Sequence, residues 1–192
     1  MRPGVTVVTP FHEQRRANGM LDRCAASVRA QTVPVEHVLA EDIHRKGAAI
    51  TRHHGLALVD TEWTAFLDSD DEMDPDHIEH LLAHVEETGA DYVYPWFRVK
   101  GGTDPFPMFY GRPWDDGAPH QTTITILVRT ELAQQIGFTR DPNVQVGGED
   151  FQFTLGCVAA GAKIVHLPRR SWTWHHGPQN SSGLPGRGDA RR

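Results

Sequence analysis

The chain predicts an α/β fold: a mostly parallel central sheet flanked by helices, in a single domain. Three observations carry this. Short β-rich runs alternate with segments of helical periodicity. Acidic or turn-forming residues stand at the carboxyl ends of those runs, where ligands collect in such sheets. The length, 192 residues with 39% hydrophobic content, suits one core with loops, given 18 Gly and 13 Pro. The formal charge is −6, with 12 His, and no basic block advertises nucleic acid or an anionic membrane.

Val5 to Thr9 reads as a strand stopped by Pro10. Met20, Leu21, Cys24 and Val28 recur at helical spacing, which predicts one amphipathic helix from about Ala17 to Gln31. Val35 to Ala40 follows as a strand, Gly47 to Val59 as a helix, and Trp63 to Leu67 as a buried strand. Asp74 then Pro75 predicts a helix start, with Gly89 as its C-cap. Asp91 to Phe97 and Ile124 to Val128 read as strands, separated by a long loop (100–121) rich in Gly, Pro and aromatics. Thr130 is expected to cap a short helix ending at Gly137, Glu149 to Ala160 to form another, and Lys163 to Leu167 a final strand. The ordered domain is expected over 1–178, with a flexible tail over 179–192.

Cys24 and Cys157 read as small buried apolar residues in helices, with no disulfide framework or Cys-x-x-Cys site. The apolar run at the N-terminus is too short for a signal peptide, and no stretch of about 18 apolar residues exists. The expectation is a soluble, cytoplasmic protein without an integral membrane segment. Nothing in the sequence sets an oligomeric state.

Three patches carry chemical potential. Asp68, Asp70 and Asp71 close the third strand, and carboxylates so close repel one another. Either they form a solvated capping turn, or a hard cation such as Mg²⁺ or Mn²⁺ offsets them and bridges a nucleotide's phosphates. Glu149 and Asp150 open a helix behind Gly147 and Gly148. Acids suit a helix N-terminus on dipole grounds alone; alternatively one is a general base for an acceptor hydroxyl. His175 and His176, flanked by Trp172 and Trp174, are candidate metal ligands as neutral imidazoles or simply two of twelve histidines.

In order along the chain, these pieces resemble a known family. They are Val5–Pro10; Cys24 to Thr32; Glu36 to Asp42; Arg52 to Leu56; Phe66-Leu67-Asp68-Ser69-Asp70-Asp71; Gly148-Glu149-Asp150; and Ala160 to Ile164. The series is similar to family 2 of the glycosyltransferases with the GT-A (Rossmann-like) fold, over roughly residues 4–177. The resemblance implies a metal-dependent, inverting transfer from a nucleotide-diphosphate sugar, UDP-sugar favoured, with Mn²⁺ or Mg²⁺. It implies donor binding by Thr9, Pro10, His12, Glu13, Asp42, Arg52 and Asp68. Asp70 would hold the metal, with His175 or else His176. Asp150, with Glu149 beside it, would supply the catalytic base. Glu41-Asp42-Ile43-His44 departs from the family's usual Asp-Asp-Gly-Ser, and His53 stands where Asn is common, so the donor's base stays open.

The implied acceptor is a hydroxyl on a glycan or a lipid-linked sugar. Phe106, Met108, Phe109, Tyr110 and Trp114 either stack on that acceptor or anchor their own loop. A hydroxylated base in DNA is a bolder acceptor, and would need a groove of Arg98, Lys100, Arg112, Arg169 and Arg170. A nucleotidyltransferase would show a glycine-rich phosphate loop after the first strand, which Thr9 to Glu13 is not. A non-catalytic nucleotide-sugar-binding module is the remaining alternative, and retention of Asp70 and Asp150 argues against it.

Overall fold

The computed structural model describes residues 4–138 and 148–177. Gly147, and the tail expected from residue 179, lie outside the described residues. The strands are β1 (Val5–Phe11), β2 (Glu36–Glu41), β3 (Trp63–Phe66), β4 (Glu72–Met73), β5 (Tyr92–Lys100), β6 (Leu127–Arg129) and β7 (Ile164–His175). The helices are α1 (Glu13–Ala17), α2 (Met20–Arg29), α3 (Ala48–Leu56), α4 (His77–Thr88), α5 (Thr130–Ile136) and α6 (Glu149–Ala159). One sheet runs in the order β2-β1-β3-β6-β5-β7-β4. Pairing is parallel for β1 with β2, β1 with β3 and β5 with β7, and antiparallel at β6 and β4. The sheet is therefore mixed, with the expected parallel half around β1.

The pleat divides the core into two layers. Val8, Phe66, Tyr92 and Tyr94 face Leu56 of α3, Ala133 of α5, and Phe153 and Cys157 of α6. Val7, Ala65, Leu67 and Val93 face Cys24 and Val28 of α2, and Ile78, Leu81 and Val85 of α4. Both cysteines are buried and unbridged, and burial pushes each thiol up to about 12. No helix among the described residues is long and apolar enough to cross a membrane.

Four local expectations change. The helix expected over 17–31 runs as α2, Met20–Arg29; Gly19, in the left-handed region (φ 76°), turns the chain in front of it, and a separate short helix, α1, precedes that turn. Asp74 does not cap α4, which starts three residues later at His77 with Asp76 at the cap position. The carbonyl of Asp74 instead accepts from His77 N and from Gln31 Nε2, tying the turn to α2. Thr130 is the first residue of α5, and its hydroxyl bonds that of buried Thr64 at 2.8 Å. The last strand runs on past Pro168 to His175, pairing with β5 on one side and β4 on the other.

Gly55 lets α3 lie close on the sheet: a Cβ there would meet Val8 Cγ1 at 2.7 Å and Ala40 Cβ at 3.1 Å. Gly55→Ala therefore destabilises the fold by about 1–3 kcal/mol through overpacking, although alanine is the better helix former. Thermal and urea denaturation check this; a variant as stable as the parent would show that α3 can retreat without loss.

Candidate active site

The carboxyl ends of β1, β2 and β3 lie side by side, and the chain leaving each carries a polar group. His12 follows β1, Asp42 follows β2, and Asp68 to Asp71 follow β3. They open on one cavity of about 430 Å³, closed on other sides by α3 (Thr51, Arg52), the start of α6 (Glu149, Asp150), the segment Gln121 to Thr125, and Phe106, Trp172 and Trp174. The cavity thus has an acidic floor and a partly aromatic wall.

Arg52 joins the parts. Its side chain is 1% exposed, Nη2 donates to Asp68 Oδ1 at 2.8 Å, and Nη1 donates to Asp150 Oδ1 at 3.3 Å. Its guanidinium lies 5.2 Å from the centre of the Phe138 ring. Burial disfavours the charge, but Asp68, Asp150 and Glu149 more than offset it and raise the Arg52 pKa. Asp150 is raised above the ordinary carboxylate range: burial is the largest cause, Arg52 opposes it, and Asp68 and Glu149 add to it. Behind Asp150, its carbonyl accepts from Thr154 Oγ1, whose hydroxyl also meets those of Tyr92 and Thr122 at 3.0 Å each. This network fixes the first turn of α6.

The other acids are also held. Arg15 Nη2 reaches Asp70 Oδ2 at 3.0 Å, and Arg23 donates to the Asp70 carbonyl. Asp42 accepts the backbone N–H groups of Lys46 and Gly47 at 2.7 and 2.8 Å, which shapes the turn into α3. Asp71 is buried, and burial with the charges of Asp70 and Asp68 raises it well above a normal carboxyl, although the His175 N–H donates to it.

Of the residues singled out in the sequence, Pro10, His12, Asp42, Arg52, Asp68, Asp70, Glu149 and Asp150 line this cavity. Thr9 does not: it is fully buried, and its hydroxyl bonds His37 Nε2 at 2.9 Å. Glu13 opens α1 on the exposed surface. His175 and His176 are not brought to the cavity beside Asp70. Strand alternation explains this: Trp172 and Trp174 face the cavity, so His175 points the other way, where its Nε2 bonds the Glu72 carboxylate. His176 lies against Trp174, in space that Gly102 leaves open.

No cluster of three or more His, Cys, Asp or Glu side chains with metal-holding geometry exists among the described residues. The carboxylates of Asp68 and Asp70 nevertheless fit a hard divalent cation, which is commonly held by one or two carboxylates completed by substrate phosphates.

Sequence reasoning missed Arg15, Thr51 and the stretch Gln121 to Thr125, and took Trp172 and Trp174 only as flanks. Arg15 follows His12 by three residues, a weak signal at best. Of the loop aromatics only Phe106 lines the cavity. Phe109 stacks on His120 at 4.5 Å, Trp114 meets Tyr94 and His120, and Met108 and Tyr110 are exposed. Three of the five basic residues suggested for DNA are engaged with acids, Arg98 with Asp74, Arg169 with Asp76 at 2.8 Å and Arg170 with Asp104 at 3.9 Å, and Arg112 lies 5.9 Å from the centre of the Phe109 ring.

Comparison with known proteins gives the family and the fold. The sequence profile described as "Glycosyl transferase family 2" matches residues 37–141, and the chain belongs to that family. Among curated relatives, the succinoglycan biosynthesis protein ExoW of Rhizobium meliloti (strain 1021) is 33% identical over 193 residues, covering 86% of this chain and 57% of ExoW. Among solved structures, S. aureus TarS 1–349 in complex with UDP superposes with a TM-score of 0.75 at 15% identity, covering 91% of this chain and 61% of that one. The TarS complex with UDP-GlcNAc gives 0.74 at 15%, over 94% and 61%. These likenesses establish the GT-A fold. The chain spans about three fifths of the length of ExoW and of TarS 1–349.

Arg52→Met leaves Asp68 and Asp150 facing each other without a cation. A loss of about 1–3 kcal/mol is expected, below the cost for a fully buried pair because both acids keep partial solvent contact. The sign of the pH dependence follows. Without Arg52, which opposes the upward shift of Asp150, the folded-state pKa of Asp150 rises further above its unfolded value. The folded variant then binds more protons than its unfolded chain, and its stability falls as pH rises. The deficit against the parent should be larger at pH 8 than at pH 5 in urea unfolding; a deficit independent of pH would refute this account of the bridge.

Proposed function

We propose that this chain is a metal-dependent, inverting glycosyltransferase domain that moves a sugar from a nucleoside-diphosphate sugar to an acceptor hydroxyl. One observation carries the proposal: Arg52 gathers Asp68, from the Asp-x-Asp turn, and Asp150, from the start of α6, into a single cavity with Asp70 and Asp42. Family membership makes sugar transfer the chemistry to assign to that cavity. The TarS complexes with UDP and UDP-GlcNAc favour a UDP-sugar as donor.

In this reading Asp42, Arg52, His12 and Pro10 bind the nucleoside, with Asp68 toward the ribose. Asp150 accepts the proton of the acceptor hydroxyl while that oxygen attacks the anomeric carbon. The bond from that carbon to the diphosphate breaks, and the nucleoside diphosphate leaves with the electron pair from the opposite face. Asp70 would hold a divalent cation, which would supply charge neutralisation at the diphosphate. Glu149 adds negative charge beside the base. The acceptor is a glycan or lipid-linked hydroxyl; the paired arginines favour neither duplex DNA nor a basic groove.

A panel of nucleotide sugars with Mn²⁺ should release nucleoside diphosphate slowly in water, and EDTA should abolish the release. Asp150→Asn should lower transfer by about 10²–10⁴-fold and leave nucleotide affinity close to that of the parent. Because burial raises Asp150, and the base must be unprotonated, kcat/KM should climb with pH through an apparent pKa above the ordinary carboxylate range. The residual activity of Asp150→Asn should lack that limb. Parental turnover in Asp150→Asn would remove this residue from the chemistry.

A further inference from the structure

The acids beneath the cavity are not left waiting for a metal ion. Arg52 answers Asp68, Arg23 lies 3.6 Å from Glu72, and Arg15 answers Asp70. In the Arg15 pair both members are shielded, whereas Asp68 is 39% exposed and Glu72 33%. The pair's two side chains are only 8% and 14% exposed, so solvent screens them weakly. Both residues line the cavity itself. Arg15 projects from α1, a five-residue helix that ends just before the left-handed turn at Gly19. Apart from Asp70, its guanidinium donates to the thioether of Met20, a weak acceptor, at 2.8 Å. It is therefore anchored to the protein mainly through Asp70.

We infer that Arg15 is a resident counter-cation which competes with divalent metal for Asp70. The inference rests on the proposed reading of Asp70 as the cation-holding carboxylate. The guanidinium lies on Asp70 Oδ2, and its charge opposes a second cation on the same carboxylate. An ion at Oδ2 displaces Arg15 from a shielded ion pair, and an ion at Oδ1 sets two cations against each other across one carboxylate. The displaced guanidinium remains at the cavity wall, where it faces the region assigned to the diphosphate. Metal binding in the absence of nucleotide is then weak by construction, because nothing takes Arg15 in exchange for Asp70.

Titration calorimetry with Mn²⁺ alone, on the full chain without nucleotide, tests this. Arg15→Gln should bind Mn²⁺ at least about ten-fold more tightly than the parent, equivalent to about 1.4 kcal/mol. Arg15→Lys, which keeps the charge, should stay near the parent. The double variant Arg15→Gln with Asp70→Asn should lose the gain, which assigns it to Asp70. Unaltered or weaker Mn²⁺ binding in folded Arg15→Gln, or a gain that persists without the Asp70 carboxylate, would overturn the competition. If Arg15→Gln fails to fold, Arg15→Lys decides alone through the salt dependence of Mn²⁺ binding, compared with Asp70→Asn: a parent-like slope supports competition and an Asn-like slope refutes it. These measurements use no sugar donor. Absence of donor turnover would overturn the proposed transfer without touching this result, and parental Mn²⁺ binding by Asp70→Asn would overturn the role of Asp70 itself.

Discussion

The buried guanidinium of Arg52 is the constraint around which the site is arranged. A cation that is 1% exposed persists only if carboxylates meet it with good geometry. Asp68 and Asp150 do so, from positions 16 and 98 residues away. Each belongs to a different layer of the molecule: one closes β3, the other opens α6, and Arg52 itself lies on α3. Satisfying one charge therefore fixes the relative positions of three elements, and the same convergence creates the cavity. The aromatic ring of Phe138 and the hydroxyl network of Thr154, Thr122 and Tyr92 support the arrangement from behind.

Charge in this cleft is balanced locally rather than by solvent. Negative groups outnumber positive ones on the floor, and the imbalance shows at Asp71 and Asp150, which both hold protons more tightly than exposed acids do. That is the behaviour expected of a site that stores unfavourable electrostatics for use with a ligand. A solvated capping turn, the plainer reading of the aspartate run, would not surround Asp68 and Asp70 with arginines that are themselves buried.

Much of this was legible in the sequence, for physical reasons that differ by element. Continuous β-rich runs exposed β1 and β3, which are buried at every position, and three- and four-residue spacing exposed α2 and α4, because burial on one helix face leaves a periodic trace. Asp68, Asp70 and Asp150 stood out locally, as carboxylates at a strand end and a helix start, and the ordered resemblance gave them roles and added Arg52. What escaped depended on tertiary context. β4 is two residues long and exists only because β7 passes beside it. The reach of β7 was hidden by Pro168 and a run of arginines. The outward turn of His175 followed from the parity of a strand whose end was not visible in composition. Arg15 was hidden because an ion pair between residues 55 positions apart leaves no periodic mark.

β7 lies between β5 and β4, and β4 pairs with no other strand. It also brings Trp172 and Trp174 to the cavity. The strand that completes the sheet thus comes from the far end of the described chain, and contacts at such sequence separation form late in folding. During ribosomal synthesis the acidic turn after β3 emerges roughly a hundred residues before its aromatic cover. Throughout that interval the nascent chain carries half a cleft, with an open strand edge, and chaperone dependence would concentrate there.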